Sequence, residues 1–248
     1  MGRRRGYIFD LRLRIAHFMN EQTKASPLFT VLLTSHCKPS LVHEAVQSVL
    51  AQTFEDYELL IVDSGALFGR LVADYGGLPG VRVELNGETE EIVRTKAVLA
   101  WVCNRWVPEA RGRYVTYLHD DDLYKPSYLA AFAAAIEGQY YPPECLWTGV
   151  EIVRVNEDGG DGGHLGHCLP KGSPRAGLCN HLQMCHSKAA FEAAAHAYHG
   201  EAWPEDPARR GDCDGHFMER LASRWPFKMV DGVHAVNRRT PLSEFAGT

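Results

Sequence analysis

Leu28-Phe29-Thr30-Val31-Leu32-Leu33-Thr34 is a short apolar run rich in β-formers, and it reads as a strand buried on both faces. The polar stretch Ser35-His36-Cys37-Lys38-Pro39-Ser40 ends it. Behind Ser40, which suits an N-cap, Leu41, Val42, Ala45, Val46 and Val49 recur at helical spacing. Leu59-Leu60-Ile61-Val62 follows as a second buried strand. Strand, helix and strand in so short a span form a βαβ unit, and a βαβ unit implies a parallel sheet.

The pattern continues outward from that unit. Gly76-Gly77-Leu78-Pro79-Gly80 is a turn before a third strand, Val81 to Leu85, and one long helix is predicted from Glu90 to Trp106. Arg111-Gly112-Arg113 leads into a fourth strand, Tyr114 to Leu118, which ends in His119-Asp120-Asp121-Asp122; Pro126 then suits the first turn of a helix reaching Ile136. The expected fold is α/β, a doubly wound and mostly parallel sheet flanked by helices. Its polar clusters sit at the carboxyl ends of strands, where open α/β sheets bind ligands. The second half is less regular: one or two strands over Cys145 to Val155, a flexible segment over Asn156 to His164, helices over Ser187 to Tyr198 and Asp214 to Arg224, and a last strand from Phe227 to Val236.

The 248 residues carry 31 acidic and 26 basic side chains, a net charge of −5, with 45% hydrophobic residues. That composition is globular and excludes low-complexity fibre and disorder. A mildly acidic chain also argues against a nucleic-acid partner, which would demand a basic face. Seven cysteines with no Cys-x-x-Cys pair suit a reducing, cytoplasmic compartment. No apolar run approaches the ~18 residues of a spanning helix. The basic segment Arg3 to Ile15 leaves three readings open: an interfacial segment making peripheral contact with an anionic membrane, a solvated arm packing on a neighbour, or a leader to a natural start at Met19. Oligomeric state is not legible.

Three consecutive aspartates repel one another unless a cation or solvent offsets them. They read either as a solvated loop capping the next helix or as ligands of a hard divalent ion, Mg²⁺ or Mn²⁺, whose shell a substrate's phosphates complete. Asp63 ends the second strand at the same edge, as turn cap or as ligand group, and Thr34, Ser35 and His36 end the first strand there. Glu205-Asp206 and Asp212-Cys213-Asp214 precede a late helix, as dipole partners or as a source of a general base. His164-x-x-His167-Cys168 invites a zinc reading but lacks paired short spacings at both ends. Dinucleotide, Walker and serine-hydrolase signatures are missing.

At these residues the chain resembles the family-2 glycosyltransferases of the GT-A fold, and among them the spore-coat polysaccharide transferase type. Val31 to Lys38 matches the family's opening strand and nucleotide loop, Ser48 to Leu59 its Ser-x-x-x-Gln-x-Phe-x-x-x-Glu signature, and Ala110 to Pro126 the strand with the acidic metal motif. The resemblance spans about Phe29 to Val236. It implies a nucleotide-diphosphate sugar as donor, UDP- or dTDP-linked, a Mn²⁺ or Mg²⁺ cofactor, and an acceptor hydroxyl. It assigns Thr34, His36, Lys38, Asp63, Ser64 and Asp120 to the nucleotide sugar, Asp121 and Asp122 to the metal, and His186 to the acceptor side. Asp214 would be the base, with Asp212 as fallback. His36 stands where the family commonly has Tyr, Cys37 where it has Asn, and Ser64 and Asn180 where it has Asp.

The implied reaction is a metal-dependent, inverting sugar transfer with the Gly-rich segment 158–177 as a mobile acceptor-side loop. The expected layout is a basic extension (1–26), one glycosyltransferase domain (27–240, with a nucleotide half 27–125 and an acceptor half 126–240) and a tail (241–248). Two other readings stay open. One is a catalytically silent nucleotide-sugar-binding protein on the same fold, which the substitutions at His36, Cys37 and Ser64 would suit. The other is a sugar-1-phosphate nucleotidylyltransferase, which would want a Gly-rich basic loop where this chain offers only Lys38.

Overall fold

The computed structural model describes residues 26–36, 38–156 and 160–240, so the basic arm with Met19, the tail 241–248 and Cys37 lie outside the described residues. The first four strands, β1 (Phe29–Ser35), β2 (Tyr57–Asp63), β3 (Val81–Leu85) and β4 (Tyr114–His119), are parallel and ordered β3-β2-β1-β4. Their registers place Ser35 opposite Asp63 and Thr34 opposite His119. All the polar strand ends therefore reach one edge.

Alternation along the strands builds two cores. Val31, Leu33, Leu59 and Ile61 face α1 (Val42–Leu50), α2 (Phe68–Tyr75) and a later helix, α5 (Tyr128–Ile136). Leu32, Leu60, Val62, Val115 and Tyr117 face the opposite layer, α4 (Val98–Trp106), α6 (Lys188–Ala197) and α7 (Cys213–Ala222). Period-two side chains buried on both faces are what a sheet sandwiched by helices requires, and each large side chain so buried stabilises by roughly 1.5–3 kcal/mol.

The sheet is mixed beyond β4, where the sequence pattern suggested a mostly parallel one. β8 (Met184–Ser187) runs antiparallel to β4, β6 (Cys145–Val155) antiparallel to β8, and β9 (Phe227–Arg239) parallel to β6, with the two-residue β5 (Leu123–Tyr124) at the far edge. Among the described residues between β6 and β8 there is no α-helix, and only a parallel return needs a long crossover. The segment expected to be flexible is partly strand: β7 (Asp161–Cys168) pairs antiparallel with β6 through two register shifts, while 157–159 lie outside the described residues. Within the described residues, the segment 158–177 read as an acceptor-side loop holds β7 followed by turns.

Other boundaries also move. The expected long helix is two, α3 (Glu90–Thr95) and α4, because Lys96 and Ala97 are extended: the Ala97 N–H donates to Glu205 O at 2.8 Å and Lys96 Nζ lies 2.8 Å from Glu205 Oε2. Ser40 is not the cap of α1. Leu41 holds that position without a side-chain bond, and the Lys38 carbonyl accepts from the Leu41 and Val42 N–H groups. Pro126 precedes α5 rather than entering it.

Gly112 fixes how the turn before β4 meets β1. Its N–H donates to Thr30 Oγ1 at 2.8 Å, and a Cβ there would fall against the backbone of Phe29 and Thr30. Thr30 Oγ1 donates to Glu58 Oε1, so the clash would also disturb a buried polar contact. Gly112→Ala is expected to cost about 2–3 kcal/mol, read as a lower urea midpoint at unchanged slope; an unmoved midpoint would contradict this packing.

Candidate active site

The acidic run sits where β4 gives out. Asp120 N–H donates to Thr34 O at 3.0 Å, and His36 N–H donates to Asp120 Oδ2 at 2.6 Å, so the β1 and β4 ends are stitched together. Lys38 Nζ reaches across to Asp121 Oδ2 in a short ion pair and lies 3.5 Å from Asp120 Oδ1. Burial would lower the Lys38 pKa, but Asp121 and Asp120 outweigh it and raise it. Burial raises the Asp120 carboxyl to about 6 against the pull of Lys38. Asp120 and Asp121 thus converge on one cationic atom with oxygen donors, a set that suits Mg²⁺ or Mn²⁺.

Asp122 points elsewhere. It is 1% exposed, and Oδ1 accepts from Asn237 Nδ2 at 3.1 Å and from the Arg238 N–H at 2.9 Å, which ties β9 to the motif. Its Oδ2 faces His181 Nε2 at 3.5 Å. The structure therefore places Asp122 apart from the Asp120–Asp121 pair with which the sequence reading grouped it as a metal ligand. The cause is that β9 needs its Oδ1 as an acceptor. Arg238, also buried, donates through Nε to Asp121 O and pairs with Glu44.

His181 opens a short 3₁₀ turn (His181–Gln183) capped by Asn180. Asp214, in the first turn of α7, accepts from the His181 N–H at 3.0 Å through Oδ2, which also lies 3.4 Å from His181 Nδ1, and from the Gly215 N–H at 2.8 Å through Oδ1. Burial would depress the His181 imidazole, but the carboxylates of Asp122 and Asp214 outweigh it and raise its pKa to about 9. A cationic ring between two carboxylates holds the late helix against the acidic motif. Asp212 is more open and lies 3.2 Å from His216 Nε2. Lys38, His119, Asp121, Asp122, His181, Asp212, Asp214 and Arg238 all line one cleft of about 320 Å³.

Four predicted site residues stand differently. Asp63 is fully buried: Oδ2 accepts from Ser35 Oγ at 2.8 Å, and Oδ1 from the Gly65 and Leu67 N–H groups. It shapes the turn after β2 and presents no free oxygen to a ligand. Ser64 is half-buried beside it, its N–H donating to Ser35 O. The His36 ring is 70% exposed, outside the cleft lining and 3.8 Å from Glu88. His186 does not reach the cleft. It is buried in β8 with Nε2 2.6 Å from the Tyr117 hydroxyl and Nδ1 2.8 Å from Ser187 O, packed among Phe191 and Phe217. The histidine at the cleft is His181, five positions earlier, which spacing did not single out. Asn237 and Arg238 were missed as well. The zinc reading at Cys168 gives way to another grouping: His164 and His167 lie near Glu151, while Cys168 Sγ bonds Leu178 O and Gln183.

Burial lowers the His186 pKa to about 4. A histidine normally near 6.5 that stays neutral in the fold binds its proton more readily when unfolded, so stability is present above pH 6.5 and falls as pH drops towards 4. At pH 4.5 the loss is roughly 2.5 kcal/mol relative to pH 7. His186→Gln, which keeps an acceptor for Tyr117, is expected to lose that much less between those pH values in urea unfolding; equal losses would refute the assignment.

Residues 30–141 match the family model for glycosyl transferase family 2. The chain is 26% identical over 219 residues to protein CgeD of Bacillus subtilis, covering 86% of this chain and 50% of that protein. It is 27% identical over 135 residues to a PGL/p-HBAD biosynthesis glycosyltransferase of Mycobacterium bovis, covering 53% of this chain and 50% of that one. The chain spans about half the length of these curated relatives. Among solved structures it is similar to S. aureus TarS 1-349 (TM-score 0.57, 14% identity, 85% of this chain and 60% of that one). It is also similar to the mannosyltransferase PcManGT of Pyrobaculum calidifontis in complex with GDP-Man and Mn²⁺ (TM-score 0.54, 15% identity, 85% and 56%).

Proposed function

We propose, from the match of residues 30–141 to the glycosyl transferase family 2 model and from the fold shared with TarS, a cation-dependent, inverting transfer of sugar from a nucleotide-diphosphate sugar to an acceptor hydroxyl. The observation that carries the reading is the convergence of Asp121, His181 and Asp214 on one cleft at the carboxyl edge of the parallel strands, with Asp120 behind Asp121 on the same lysine. TarS has also been solved in complex with UDP-GlcNAc, and PcManGT with GDP-Man, which supports a nucleotide sugar as the ligand class.

Asp121, with Asp120 beside it, would hold a Mg²⁺ or Mn²⁺ ion, and that ion supplies Lewis-acid stabilisation of the diphosphate as it leaves. The chain's own groups do the rest. Thr34, Lys38 and Ser64 line the nucleotide edge, with Asp63 positioning that edge through Ser35. Lys38 is drawn off its carboxylates towards the phosphates. Asp214 takes the proton of the acceptor hydroxyl as its oxygen bonds to the anomeric carbon and the bond from that carbon to the diphosphate oxygen breaks. One displacement from the opposite face inverts the centre. Asp212 is the second carboxylate at hand.

Titration calorimetry with UDP-, dTDP- and GDP-sugars tests the binding half. At least one is expected to bind with Mn²⁺ present and about tenfold or more weakly in EDTA, a cost of roughly 1.4 kcal/mol. Equal affinity in EDTA would remove the cation from the reading.

A further inference from the structure

Two buried imidazole nitrogens in the cleft have no hydrogen-bond partner: His119 Nε2 and His181 Nε2. His181 itself is only 5% exposed. The two rings stack with centroids 3.7 Å apart and an interplanar angle of 27°. Asp122 Oδ2 lies 3.5 Å from His181 Nε2, out of line for a hydrogen bond, and one ligand atom from each of the three residues falls within 4.8 Å of the others. Buried polar atoms without partners are rare in folded proteins and call for an explanation.

We infer that His119, Asp122 and His181 form a second cation site, distinct from the oxygen pair at Asp120 and Asp121, that takes a divalent first-row metal of the zinc class. Two imidazoles and one carboxylate are the donors such an ion prefers over Mg²⁺. Ligand atoms around a tetrahedral ion with bonds near 2.1 Å stand roughly 3.4 Å apart, close to the 3.5 Å between His181 Nε2 and Asp122 Oδ2.

The surrounding bonds are those a metal centre uses. His181 Nδ1 lies 3.4 Å from Asp214 Oδ2, so the nitrogen opposite the candidate ion is already turned to a carboxylate that orients the ring. Asp122 Oδ1 is fixed by Asn237 and the Arg238 N–H, leaving Oδ2 as the free donor. All three residues line the cleft, so the open coordination position would face it. Binding would displace the Nε2 proton of His181 to solvent and keep the one on Nδ1. The inference adds to the proposed site without resting on sugar transfer, because metal binding is read without substrate.

The test uses the full chain in a His164→Ala/His167→Ala background, which removes the exposed trio of Glu151, His164 and His167. After EDTA dialysis, Co²⁺ is titrated in while the visible absorption bands of a tetrahedral or five-coordinate centre are followed, and Zn²⁺ is titrated by calorimetry. The expected result is one equivalent of either metal, not displaced by millimolar Mg²⁺ and retained in Asp121→Asn. Affinity should fall roughly 100-fold or more in His119→Ala and in His181→Ala. His119→Gln and His181→Gln, checked for folding by circular dichroism, guard against loss through unfolding. No Co²⁺ bands in the parent, or binding unchanged in the folded histidine variants, would overturn the site, while the Asp120–Asp121 reading would stand.

Discussion

Asp214→Asn is expected to lower sugar transfer by about 10²–10⁴-fold, the range a positioned general base supplies, with donor affinity nearly unchanged. An asparagine keeps the volume, but its single oxygen can accept from only one of the His181 and Gly215 N–H groups, so circular dichroism and urea unfolding must accompany the assay to show that α7 stays anchored. The capacity to take the acceptor's proton is lost together with the charge that faces the His181 ring. Steady-state kinetics over a range of donor concentrations separates the two, with kcat falling and KM for donor nearly constant. Near-parental turnover would move the role to Asp212, which lines the same cleft.

Asp121→Asn is expected to fail in a different way. Its Oδ2 carries the close contact to Lys38, and its backbone carbonyl accepts from Arg238, so the side chain faces the cleft while the backbone is pinned. Replacing the carboxylate removes a full negative charge from the cation's ligand set. Loss of charge stabilisation at a leaving group costs about 10²–10³-fold in rate, or about 2.7–4 kcal/mol. Here the loss should come with a Mn²⁺ requirement shifted at least tenfold upward. The diagnostic is metal dependence: raising Mn²⁺ should recover part of the Asp121→Asn activity and none of the Asp214→Asn activity. A variant as active as the parent at low Mn²⁺ would sink the assignment.

The contrast with Asp122 shows how far neighbouring residues can differ. All three aspartates arise from one run, yet Asp122 Oδ1 is taken by β9 while Asp120 and Asp121 face Lys38. No sequence pattern separates them, because the group that claims Asp122 lies more than a hundred residues away. The same distance explains the other misreadings. The break at Lys96–Ala97 depends on Glu205, and the helical spacing of 90–106 carries no trace of it. His181 joins the site only when the 3₁₀ turn meets α7. The Asn180 cap was a readable local signal for that turn but said nothing of its partner.

What was legible was local and periodic. β1, β2 and β4 alternate between two apolar faces, β3 has one, and their polar ends align because parallel strands in register must end together. That alone located the edge where the cleft lies. Asp63 and His186 are placed differently from a ligand-facing group for a shared reason: a polar residue at a strand end satisfies its own turn or core as readily as a ligand, and only burial distinguishes the cases.

The central claim is that this cleft performs inverting, cation-dependent sugar transfer. Its most direct test is to supply the full chain with the nucleotide sugar it binds, Mn²⁺ and a pool of hydroxyl-bearing acceptors, and to follow nucleoside diphosphate release together with the anomeric configuration of the product by NMR. The expected result is acceptor-dependent release that stops in EDTA and gives a product of opposite anomeric configuration to the donor. Donor that binds but is never cleaved, or product with retained configuration, would contradict it.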